Sequence, residues 1–306
     1  MKTNSNEKYH FIQVVHFSPG KSISVRGLRR IWARLARFGN LDGHGSFSIQ
    51  GAFKTSDNRK LVLGDLSCLS EFNENTETVV GGGVFYVSDP HSPIFNCDLH
   101  FSLSTIVPRN GAFFPRTLKI AISNLIADQI EPDSLAAFFD AVFADCDAVS
   151  SYGFVDVAAA SEAWAGIGYG AMPSGGLSIR QKVEMNAWVH CRSRSVHPVR
   201  SLYWGNFFTG ETLEKLGGKA AFASRYHEAT KKLCGSPSAV IREHAFGVFC
   251  TLALNPRSAR PSPGFDVDML LDGNLLWLQA ELGKHGILER WDGDIAGAAQ
   301  ASMTSG

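Results

Sequence analysis

The stretch Tyr9 to Phe38, YHFIQVVHFSPGKSISVRGLRRIWARLARF, decides how the chain is read. Its first nine residues are rich in apolar and β-branched side chains and are followed by Ser18-Pro19-Gly20, a turn cluster, so Tyr9 to Phe17 predicts a buried strand. From Arg26 to Phe38, Leu28, Ile31, Trp32, Leu35 and Phe38 recur at helical spacing while Arg29, Arg30, Arg34 and Arg37 fall largely outside that stripe. This predicts an amphipathic helix that ends at Gly39-Asn40. A buried strand followed by a one-sided helix sets the expectation of an α+β protein.

The segments that follow fit that expectation. Short apolar runs between about residues 45 and 123, among them SFSIQGAF, KLVLGDL, TVVGGGVFYV, DLHFSLSTIV and LKIAI, are separated by Gly, Pro, Asn and Asp, as in a meandering antiparallel sheet. Pro132 and Asp133 then open a second helix, with Leu135, Phe138, Phe139, Val142 and Phe143 on one face. A strand at Tyr152 to Val157 follows, so the strand–helix order of residues 9–38 recurs at 118–147, as in an internal duplication; the chain is read as two similar α+β halves, residues 1–160 and 161–306. Residues 160–200, rich in Gly, Ser and Arg, read as a long surface loop. Helices near 210–216 and 219–233, a strand near 245–254 and a helix near 274–282 complete the chain. The Asp272-Gly273 break before that last helix also suits a hairpin turn.

A chain of 306 residues that is 44% hydrophobic and 19% charged can bury a substantial core. The N-terminal residues lack a secretory pattern, and no apolar run reaches the roughly 18 to 20 residues of a membrane span, so a cytoplasmic protein is expected. Six widely spaced cysteines suit reduced thiols.

The familiar catalytic signatures are missing. Gly81-Gly82-Gly83 lies inside a β-like run and reads as a bulge or a close backbone approach, and no GxxxxGK[ST], G-x-S-x-G or H-E-x-x-H occurs. Cys97 with His100, and His190 with Cys191, are the candidates for a thiol or metal site. An odd separation puts such residues on opposite sides of a strand, which argues against both pairs. No enzyme activity, cofactor or metal is expected, and a thiol- or metal-dependent hydrolase is the alternative.

Net charge is zero, with 29 basic and 29 acidic side chains, yet the charges are segregated. Residues 26–60 hold 8 basic and 2 acidic side chains, and residues 61–147 hold 3 and 12. Residues 176–260 hold 13 and 5, and residues 261–306 hold 2 and 7. Glu71, Glu74 and Glu77, with Asp140, Asp145 and Asp147 on or beyond the less apolar side of the second helix, read either as a solvated face or as a negative docking surface for a basic partner. The arginine stripe raises phosphate contacts, but no aromatic platform or helix-turn-helix spacing accompanies it, and direct nucleic-acid binding is not expected.

Tyr203-Trp204-Gly205-Asn206-Phe207-Phe208, followed by Leu213-Glu214-Lys215-Leu216-Gly217-Gly218, resembles a segment of immunity proteins of bacterial polymorphic-toxin and type VI secretion systems. Ser151-Tyr152-Gly153-Phe154-Val155-Asp156 after an amphipathic helix is similar to them too, and the immunity protein 52 family is the type it resembles. The resemblance implies a protein that binds and neutralises a cognate toxin, typically a restriction-endonuclease-like nuclease, and it carries over no catalytic residues. It leaves an adaptor that delivers an effector as a further possibility. Tyr203 and Trp204 read as core aromatics or, if exposed, as anchors for a partner.

Overall fold

The computed structural model describes residues 9–17, 21–38, 48–61, 77–87, 99–103, 108–109, 112–113, 117–127, 130–146, 150–159, 202–234, 239–254 and 273–287. The fold is α+β, built on an antiparallel sheet of ten strands. Strand β1 (Tyr9–Phe17) lies in its interior, between β8 (Thr117–Ser123) and β9 (Ser150–Ala159). Outward from β8 come β5 (Leu99–Leu103), β4 (Val79–Val87), β2 (Ser48–Thr55) and the two-residue edge β3 (Lys60–Leu61). Outward from β9 come β10 (Gly205–Thr209), β12 (Gly247–Thr251) and the edge β11 (Ile241–Glu243). Two short strands, β6 (Pro108–Arg109) and β7 (Ala112–Phe113), pair with each other. Both edges of the large sheet are short, which limits pairing with other chains.

Strand alternation sends side chains to two helical layers. Phe11, Val15 and Phe17 of β1, with Leu118, Ile120, Ile122, Leu99 and Phe101 from its neighbours, join α1 (Val25–Phe38), α2 (Asn124–Ala127) and α3 (Pro132–Asp145) in one core. Ile12, Val14, Ala121, Phe154 and Phe208 join α4 (Gly210–Lys215), α5 (Lys219–Cys234) and α6 (Gly273–Lys284) in the other. The helix at 273–284 settles the reading of the Asp272-Gly273 break in favour of a helix.

The ladder runs unbroken past residue 160, the boundary suggested between two halves. Strand β10 pairs with β9, placing Gly205 opposite Val155 and Phe208 opposite Tyr152. Trp204, Phe207 and Phe249 enter the α1/α3 core, and Ile12, Val14 and Ala121 enter the α5/α6 core, so each core draws on both stretches of chain. The recurring order of strand then helix is present as β1–α1 and β8–α3, with both long helices on the same face.

Local chemistry explains the element ends. Ser24 begins α1: its carbonyl accepts the Leu28 amide at 3.0 Å and its hydroxyl accepts the Gly27 amide at 3.1 Å. At the end of α4 the amides of Gly217 and Gly218 reach back to the carbonyls of Glu214 and Leu213 at 3.0 and 2.8 Å, with both glycines at positive φ, so LEKLGG closes the helix expected near 210–216. Gly82, at φ +123°, is the close approach expected of the triple glycine: a β-carbon there would sit 2.4 Å from the Ala52 carbonyl oxygen.

Gly153 matters most for packing. Its missing side chain makes room for Phe143 of α3, whose ring stacks on Phe207 with centroids 4.5 Å apart and 7° between planes. A β-carbon at residue 153 would lie 2.2 Å from Phe143 Cε1. Gly153→Ala is therefore expected to cost about 1–3 kcal/mol through overpacking, and Phe143→Leu in the same chain should return part of it. Urea unfolding of the two single variants and the double variant checks this; a Gly153→Ala midpoint equal to the parent's would contradict the packing argument.

Candidate functional site: buried charges on and around the sheet

Two groups of polar side chains stand out against the apolar cores. The first comprises acidic residues singled out from the sequence. Glu77 precedes β4, its carboxylate is 3% exposed and it is ion-paired with Arg59, while its carbonyl accepts the Val25 amide at 3.0 Å. Asp140 on α3 is buried; His244 Nε2 lies 2.5 Å and Arg242 Nη1 3.7 Å from its oxygens. Asp145, at the end of the same helix, has a side chain only 7% exposed and meets Arg34 Nε at 2.6 Å and Arg30 Nε at 3.4 Å. Each of the three holds a distant element in place: the β2–β3 turn, the β11–β12 hairpin and α1. Glu71, Glu74 and Asp147 lie outside the described residues.

The aromatic candidates are placed by the sheet. Trp204 is 2% exposed, donates from Nε1 to the Ala253 carbonyl at 3.0 Å and meets Phe139 edge-on. Tyr203 is half-buried and stacks on Phe154, centroids 4.1 Å apart. Asn206 clamps this corner, donating to the Tyr203 carbonyl at 2.7 Å and accepting the Tyr203 amide at 3.1 Å. YWGNFF is thus a strand entry whose aromatics pack inward in the free chain, the core alternative of the two that the sequence left open for Trp204.

The second group was not singled out as a cluster. His10 and His16 of β1, His100 of β5, and Thr117, Lys119 and Ser123 of β8 are all buried, and alternation places them on the sheet face that carries Ile12, Val14 and Ala121. His10 stands opposite Ser123, Val14 opposite Lys119, and His16 opposite Thr117, with His16 Nδ1 3.1 Å from Thr117 Oγ1. Burial, then the positive charge of Lys119 and of His10, hold the His100 imidazole down to about 3, so it is neutral near pH 7. The signal for this cluster was parity: even positions of β1, β5 and odd positions of β8 share one face once the strand order is known. Among the described residues no three His, Cys, Asp or Glu side chains are grouped so as to hold a metal ion.

The remaining sequence candidates for a thiol or metal site, Cys97, His190 and Cys191, lie outside the described residues. Cys146 and Cys250 are buried, and burial pushes the Cys250 thiol far up, which disfavours a thiolate there. No described helix is long and apolar enough to cross a membrane.

No family model matches the chain, the immunity protein 52 family included, and no curated protein matches it. Among solved structures the fold is similar to that of the Pseudomonas aeruginosa T6SS protein PA0821, with a TM-score of 0.53 at 12% identity, over 92% of this chain and 74% of that one. The likeness extends over nearly the whole chain and is one of fold.

Two stability measurements follow from this geometry. Because His100 has a lower folded value than its ordinary 6.5, the unfolded chain binds the extra proton first; stability is fully present above about pH 6.5 and is lost as pH falls toward about 3. The loss approaches about 1.4 kcal/mol per pH unit, and His100→Gln should flatten it in chemical denaturation curves taken across that window. For the α3 anchor, Asp140→Ala is expected to cost about 1–2 kcal/mol by leaving His244 without its acceptor; a double-mutant cycle with His244→Ala showing no coupling would contradict the pairing.

Proposed function

We propose that the chain is a non-enzymatic immunity protein that binds a cognate type VI-secreted nuclease toxin in the cytoplasm and blocks it by occupation. The observation that carries this reading is the fold similarity to a T6SS protein over 92% of the chain. The resemblance of YWGNFF and LEKLGG to immunity proteins points the same way. The structure adds one continuous sheet of described strands with helices packed on both faces, a scaffold of the kind that lowers the ordering cost of binding.

Two routes to inhibition follow from toxin chemistry. A nuclease presents positive surface to the phosphate backbone, and a negative face occupies that surface; alternatively the binder disrupts a toxin oligomer or its active conformation. Glu77, Asp140 and Asp145 are engaged by cations of the same chain. Of the acidic candidates, Glu71, Glu74 and Asp147 lie outside the described residues.

A second reading, an adaptor that carries an effector to the secretion machinery, is equally compatible with a fold likeness to a T6SS protein. Co-expression with the product of the adjacent gene separates the two. Immunity requires that the chain restore growth, suppress nucleic-acid cleavage by the purified toxin and co-elute with it. Co-elution with cleavage intact would identify an adaptor, and full cleavage with separate elution would overturn binding altogether.

A further inference from the structure

We draw no further inference here: the strongest candidate, the buried polar cluster of His10, His100, Lys119 and Ser123 on the α5/α6 face of the sheet, belongs to the site already described, and only the lowered proton affinity of His100 sets it apart, which by itself names no ligand, partner or switch.

Discussion

Everything in this fold is organised by burial of β1 on both of its faces. Residues 10–17 are all shielded from solvent, and the strand is hydrogen-bonded along nearly its whole length to β8 on one side and β9 on the other. A strand so placed has no solvent-facing side, so a slip of one residue would drive His10 and His16 into the α1/α3 core and Phe11 and Val15 onto the other face. Register is fixed by that penalty. Gln13 tests the rule: it points into the apolar α1/α3 core and is tolerated there because its amide donates to the Phe139 carbonyl at 2.8 Å.

Charge takes the opposite role, selecting which elements meet around that strand. The sequence carries its charges in alternating blocks, and the long-range ion pairs join one block to its opposite. Arg30 and Arg34 reach Asp145, Arg59 reaches Glu77, Arg242 and His244 reach Asp140, and Arg225 reaches Glu281. Each pair has one largely buried carboxylate and one partly exposed cation. The carboxylate's desolvation is thereby offset while the cation keeps some water, an arrangement less costly than burying both ions. Segregation along the chain thus serves assembly of the fold at these positions, and what stays exposed in quantity on α1 is positive.

Much of the architecture was legible in residues 9–38 and in the apolar runs after them. The observed β1 has the bounds read from its composition, α1 and α3 start and end within a residue or two of their periodicity, and Gly217-Gly218 closes α4 as a helix end should. Strand β10 was less legible because GNFFT is buried along its whole length, polar Asn206 and Thr209 included, and its adjacent phenylalanines show no alternation to mark a strand. The site was less legible still. Glu77, Asp140 and Asp145 are polar residues in polar-looking positions, and nothing local reveals that Arg59, His244 and Arg34 will close over them from as far as 111 residues away.

The sequence by itself determined the fold class, the elements and which side of each helix is apolar, because those follow from periodicity within one turn or one strand. Tertiary structure alone decided which charges face water. Whether a carboxylate is a docking group or an internal anchor depends on what the chain brings beside it, and that depends on strand order, which residue spacing does not encode. The same holds for His10, His100 and Lys119, distant in sequence, which become neighbours on one face only because β5, β8 and β1 lie side by side.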